Sequence, residues 1–109
     1  MAQIPTTPSL RQLQQYQHDM CAERGWDQAS SLETFLLFME EVGELANAIR
    51  YKERIWVRPD KQVSDAQLAR EFSDVLSYLM ELANRYGVDL EQAYRDKEAI
   101  NATRTWENG

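Results

Sequence analysis

From Ser30 to Lys52 the chain reads SSLETFLLFMEEVGELANAIRYK. Ser30 followed by Glu33 is a capping-box pattern, in which each side chain satisfies a backbone amide at the start of a helix. Leu32, Phe35, Met39, Val42, Ala46 and Ile49 recur at helical spacing and mark the apolar side of a helix running to about Lys52. Within it, Glu41 and Glu44 stand three residues apart, so both carboxylates share one face, a turn from each other. Further on, Glu71-Phe72-Ser73-Asp74 repeats the spacing. Two such helices set side by side would bring four oxygen ligands to one point, the kind of site a hard cation such as Mg²⁺ prefers.

The remaining chain reads as helical too. Ser9 is an N-cap for a helix carrying Leu10, Leu13, Tyr16, Gln17 and Met20 and ending near Gly25. Ser64 with Gln67 opens a third helix, which is expected to bury Leu68, Phe72, Val75, Leu79, Leu82 and Tyr86 and to stop at Gly87. Asp89 with Gln92 opens a fourth, carrying Leu90, Ala93, Tyr94, Lys97, Ile100 and Asn101. The long break, residues 53–63, contains Trp56, Pro59 and Asp60. With no strand-like alternation, the pattern predicts an all-α four-helix bundle in one domain spanning residues 1–109, its first eight residues flexible. Helices this apolar in so short a chain predict a homodimer, or a dimer of dimers.

At 109 residues there is room for one core. The formal charge of −6 and the lack of a basic face argue against a nucleic-acid polymer as partner. A single cysteine, Cys21, excludes a disulfide within one chain and fits a reducing compartment. No stretch has the apolar length of a membrane span, and Met1 to Ser9 lacks the features of a secretory signal. A cytoplasmic location is expected.

At about 100° per residue, Glu71, Asp74, Tyr78, Glu81 and Arg85 fall on one stripe beside the apolar set of the third helix. Glu41 and Glu44 border the apolar face of the second, with Glu40 further round. Acidic stripes are usually solvated faces. Two pairs at the edge of a core are different, because uncompensated charge there is costly. A di-iron bundle needs Glu-x-x-His on two helices, and His18 has no Glu three positions before it. One Cys and one His do not make a zinc site. Nucleophilic Ser or Cys catalysis lacks a base, and there is no Gly-rich phosphate loop. Magnesium is the metal these residues favour.

Glu40-Glu41-x-x-Glu44 followed by Glu71-x-x-Asp74 resembles the signature of the MazG-like all-α nucleoside triphosphate pyrophosphohydrolases. Ala22-Glu-Arg-Gly-Trp26, Asp74-Val-Leu-Ser-Tyr-Leu79, Gly87-Val-Asp-Leu90 and Lys97-x-x-x-Asn101-x-x-Arg104 resemble it as well. The likeness covers about residues 10 to 106. It implies hydrolysis of a nucleoside triphosphate to monophosphate and pyrophosphate. By the resemblance, Glu41, Glu44, Glu71 and Asp74 hold Mg²⁺, for which Mn²⁺ can substitute, and Glu40 supports these ligands or positions the attacking water.

Among subgroups the chain is most similar to the dCTP pyrophosphatases and small bacterial MazG-like proteins. That similarity implies base stacking on Trp26, Tyr51 and Tyr78, with Tyr51 standing where the dCTP-type pattern has a tryptophan. It also implies a nucleoside contact from Asn101 and phosphate contacts from Lys97 and Arg104. The dCTP type carries a histidine in its first helix, a column that holds Gln17 here, with His18 one place off. This departure argues against a strict cytosine preference. Two alternatives share the pattern: a phosphoribosyl-ATP pyrophosphohydrolase, and a non-catalytic helical dimer that binds a partner protein.

Overall fold

A computed structural model describes residues 1–108, with side chains through residue 104. The described residues form four α-helices and no strand: α1 (Leu10–Arg24), α2 (Ser31–Lys52), α3 (Asp65–Arg85) and α4 (Leu90–Asn108). Their starts are fixed by side chains within the first turn. Ser9 and Gln12 form a reciprocal capping box, as do Ser30 with Glu33 and Ser64 with Gln67. At α4, Asp89 Oδ1 accepts from the Gln92 amide at 3.1 Å. Gly25 ends α1 at φ 70° and Gly87 follows α3 at φ 66°, a left-handed geometry that glycine takes without steric cost.

The chain divides into two compact units, one built from Met1–Asp27 with the chain from Ala83 onward, the other Gln28–Leu82. In the first, α1 packs against α4. The buried residues of α1 are Gln14, Gln17, Met20 and Cys21, two polar followed by two apolar. Gln14 Nε2 donates to Asn84 Oδ1 at 3.0 Å and to the Val88 carbonyl at 2.6 Å. Its Oε1 accepts from the Leu90 amide at 3.0 Å, and Asn84 Nδ2 donates to the Gln14 carbonyl at 3.1 Å. One glutamine thus fastens α1 to the turn before α4. Arg11 adds ion pairs to Asp89 at 2.7 Å and Glu91 at 3.3 Å.

In the second unit, α2 and α3 form a helical hairpin around residues 53–64. Lys52 Nζ meets Asp65 Oδ1 at 2.6 Å and closes the loop at its base. Within the loop, Arg50 donates to the carbonyls of Ile55 and Trp56, and Arg54 donates to the Lys61 carbonyl at 2.7 Å. Arg54 and Trp56 sit at φ 55° and 52°, left-handed positions occupied without glycine.

The apolar stripes are less covered than their spacing predicts. Thr34, Ala48, Tyr51 and Met80 are buried. Leu32 is 69% exposed and Phe72 54%, while Phe35, Met39, Ala46, Ile49 and Leu79 are also exposed. Tyr86, expected in the core, is 70% exposed. A two-helix hairpin buries the line along which its helices meet and leaves the flanks of each stripe open.

Candidate metal centre

Glu41 and Glu44 lie one turn apart on α2, and Glu71 projects from α3 to meet them. One carboxylate oxygen from each lies within 4.8 Å of the others. Glu41 and Glu71 are half-buried and Glu44 is exposed, so the cluster is walled on one side and open to water on the other. Glu41 Oε2 and Glu71 Oε2 are buried with no hydrogen-bond donor. Both carboxyls are held above the usual carboxylate range. Burial is the main cause, followed by the charges of Glu44 and Asp74 and by a hydrogen bond shared with Glu44. Burial and mutual repulsion both favour a proton on these two groups.

A cation can take the place of that proton. Mg²⁺ holds its ligands at about 2.0–2.1 Å in an octahedron, which sets neighbouring oxygens about 3 Å apart. The three carboxylate oxygens, within 4.8 Å of one another, stand close to that spacing without being at it. The donor set is all oxygen and anionic, as a hard cation requires. Asp74, exposed one turn beyond Glu71, lies outside the three-oxygen set, although its charge raises the pKa of both Glu41 and Glu71. Glu40 is exposed and is not part of the cluster. Gly43, between Glu41 and Glu44, would present a Cβ to nothing within 4 Å.

The residues expected to hold a nucleotide fall into both units. Tyr51 and Tyr78 belong to the hairpin with the acids, Tyr78 one turn past Asp74 and half-buried. Tyr51 is 7% exposed, with Lys61 Nζ 4.8 Å and Arg50 Cζ 5.2 Å from its ring centroid. Trp26, Lys97, Asn101 and Arg104 belong to the other unit. Trp26 follows the Gly25 cap, is 58% exposed and has Arg24 Cζ 4.9 Å from its ring. Lys97, Asn101 and Arg104 are exposed along α4 at helical spacing. Sequence reasoning missed the cations around Tyr51. Lys61 lies ten residues along the chain in the loop, so helical periodicity carries no signal for it.

Residues 29–99 match the family model of the MazG nucleotide pyrophosphohydrolase domain. The chain belongs to the MazG nucleotide pyrophosphohydrolase family. The matched segment contains α2 and α3 whole, and with them all four acids. dCTP pyrophosphatase 1 of Mus musculus is 38% identical over 104 residues, covering 89% of this chain and 59% of the relative. The Homo sapiens protein of that name is 37% identical over 100 residues, with the same coverage. This MazG chain therefore spans about 59% of the length of those relatives. The uncharacterized protein YvdC of Bacillus subtilis is 32% identical over 91 residues, covering 79% of this chain and 86% of the relative.

Proposed function

We propose that this protein is a Mg²⁺-dependent pyrophosphohydrolase that converts a (deoxy)nucleoside triphosphate to nucleoside monophosphate and pyrophosphate. The observation that carries the reading is the convergence of the Glu41, Glu44 and Glu71 carboxylates, two of which carry a buried oxygen with no hydrogen-bond donor, in a chain of the MazG family. A lean towards dCTP-like pyrimidines is supported by relatives named as dCTP pyrophosphatases. Clearing unwanted deoxynucleotides in the cytoplasm is the physiological role we assign.

Glu41, Glu44, Glu71 and Asp74 would hold the cation. When bound, it neutralises phosphate charge and makes a neighbouring water more acidic. The chain itself then needs no nucleophilic side chain. Water adds to phosphorus, the bridging bond between the α- and β-phosphates breaks, and the bridging oxygen leaves with one of the two products. Glu40, exposed on α2 beside Glu41, is assigned to orient that water and accept its proton. Trp26, Tyr51 and Tyr78 are assigned to the base, Asn101 to the nucleoside, and Lys97 and Arg104 to the phosphates.

Self-association as a homodimer of helical bundles belongs to the same reading. Leu32, Phe35, Leu36 and Met39 form an exposed apolar stripe on α2, and Phe72, Leu76 and Leu79 form another on α3. Stripes of that kind favour burial against a second surface. Among the described residues, no helix is long and apolar enough to cross a membrane.

The test is product analysis with Mg²⁺ and a panel of canonical and modified nucleoside triphosphates. Monophosphate with pyrophosphate is expected, fastest for a pyrimidine deoxynucleotide. Diphosphate with phosphate, or no turnover across the panel, would overturn the reading.

A further inference from the structure

Tyr51 closes the buried side of α2, yet cations cover its ring. Arg50 and Lys61 both lie against it, but they are held differently. The Arg50 guanidinium is fixed by Asn47 Oδ1 at 2.9 Å, by the Ile55 carbonyl at 3.3 Å and by the Trp56 carbonyl. The Lys61 backbone is also fixed, its carbonyl accepting from Arg54 Nη1 at 2.7 Å and its amide donating to the Arg58 carbonyl at 3.3 Å. The Lys61 ammonium is not. Among the described residues it has the Tyr51 ring at 4.8 Å and neither a carboxylate nor a carbonyl partner. A pinned loop therefore lays one loosely held cation over the aromatic ring of the hairpin that carries the acids.

We infer that Lys61 is a displaceable cover on Tyr51, an affinity-determining residue that leaves the ring when a nucleobase arrives. The inference rests on the reading of Tyr51 as a base-stacking residue. Relative magnitudes favour the exchange. A cation that itself stays exposed, as Lys61 does, contributes about two- to fivefold when it lies over an aromatic ring. Stacking a base on an aromatic side chain contributes about fivefold to a hundredfold. The base therefore wins the ring, and the released ammonium stays tethered to a loop beside a polyanionic ligand. Lys61 costs the protein part of its affinity for the base and keeps the ring covered between turnovers.

The direct test follows the Lys61 side chain by NMR in the intact 109-residue chain. Its ε-methylene signal, identified by its loss in Lys61→Gln, is expected upfield of a solvated lysine because of the Tyr51 ring current. Adding Mg²⁺ and an α,β-imido deoxynucleoside triphosphate should return it towards the solvated value. If amides near Glu41 and Glu44 report binding while the lysine signal stays upfield, the cover does not open and the inference falls. Affinity supplies a second arm, measured at high ionic strength to screen general attraction. Lys61→Ala should bind the analogue about two- to fivefold more tightly; equal or weaker binding contradicts the inference. Tyr51→Leu separates the two layers. If it folds and binds as well as the unmodified protein, the base-stacking role of Tyr51 fails, and Lys61 with it. If it binds more weakly while Lys61→Ala does not tighten binding, only the cover fails.

Discussion

Two polar clusters in this molecule invite comparison. Around Gln14 every donor has an acceptor: the Asn84 amide, the Val88 carbonyl and the Leu90 amide are joined by bonds of 2.6 to 3.1 Å. Around Glu41 three acceptors face one another, and two buried oxygens have no donor at all. The first cluster is complete as folded and holds α1 to the turn before α4. The second is complete only when protons or a cation enter it. A satisfied network stabilises structure, whereas a cluster of acceptors alone leaves buried groups uncompensated.

The contrast can be broken by substitution. Glu41→Gln or Glu71→Gln should lower turnover at least about a hundredfold, comparable to removing one electrostatic contact from a transition state. Circular dichroism should remain unchanged, because the helices do not depend on these groups. Gln14→Ala should do the reverse. It leaves the Leu90 amide and Asn84 Oδ1 without their partner, while Asn84 Nδ2 keeps the backbone carbonyl of residue 14, and should cost about 2 kcal/mol of stability in a denaturant titration. Turnover per folded molecule should hold, and Mg²⁺ should not restore what was lost.

Acidity sharpens the same comparison. Glu41 and Glu71 have raised pKa values, so their contribution to stability is fully present below the ordinary glutamate range. It is lost as pH rises through their raised values. Asp65, paired with Lys52, and Asp89, held first by the Gln92 amide and then by Arg11, are kept low and lose their contribution only as pH falls through those lowered values. Metal-free protein should therefore show a melting temperature that declines as pH rises from about 4.5 upwards. Saturating Mg²⁺ should flatten the decline, and Glu41→Gln with Glu71→Gln should abolish it. The smallest effect concerns glycine. Gly43→Ala meets nothing within 4 Å and should stabilise the free helix by about 0.5–1 kcal/mol. Gly87→Ala, at φ 66°, should destabilise by more than that gain.

How far the sequence discloses these two regions depends on the range of the interaction. Ser9, Ser30, Ser64 and Asp89 cap their helices as their spacing predicts, because each bond spans three residues and is local. Glu41 and Glu44 share a helix face for the same reason, while Glu71 reaches them from a second helix 27 residues on, a juxtaposition that only the repeated spacing suggests. Asp74 shares the spacing, yet its carboxylate stands outside the three-oxygen set. Periodicity locates a face and does not aim a side chain. Gln14 was not legible, since a polar residue in a helix announces no partner seventy residues away. Nor was the loop, whose bends at Arg54 and Trp56 lack the glycine that usually marks a left-handed backbone. Arginines binding backbone carbonyls leave no sequence pattern. The exposed Leu32 and Phe72 show a third limit: an apolar stripe records that a residue is to be covered, not by what.

Thermal melting against Mg²⁺ concentration, in the unmodified protein and in Glu71→Gln, tests the central claim most directly. A cation that binds only the folded acidic cluster must raise the melting temperature of the unmodified protein progressively, and Glu71→Gln must remove most of that rise. An equal rise in both proteins, or none in either, would mean that these carboxylates are not a metal site.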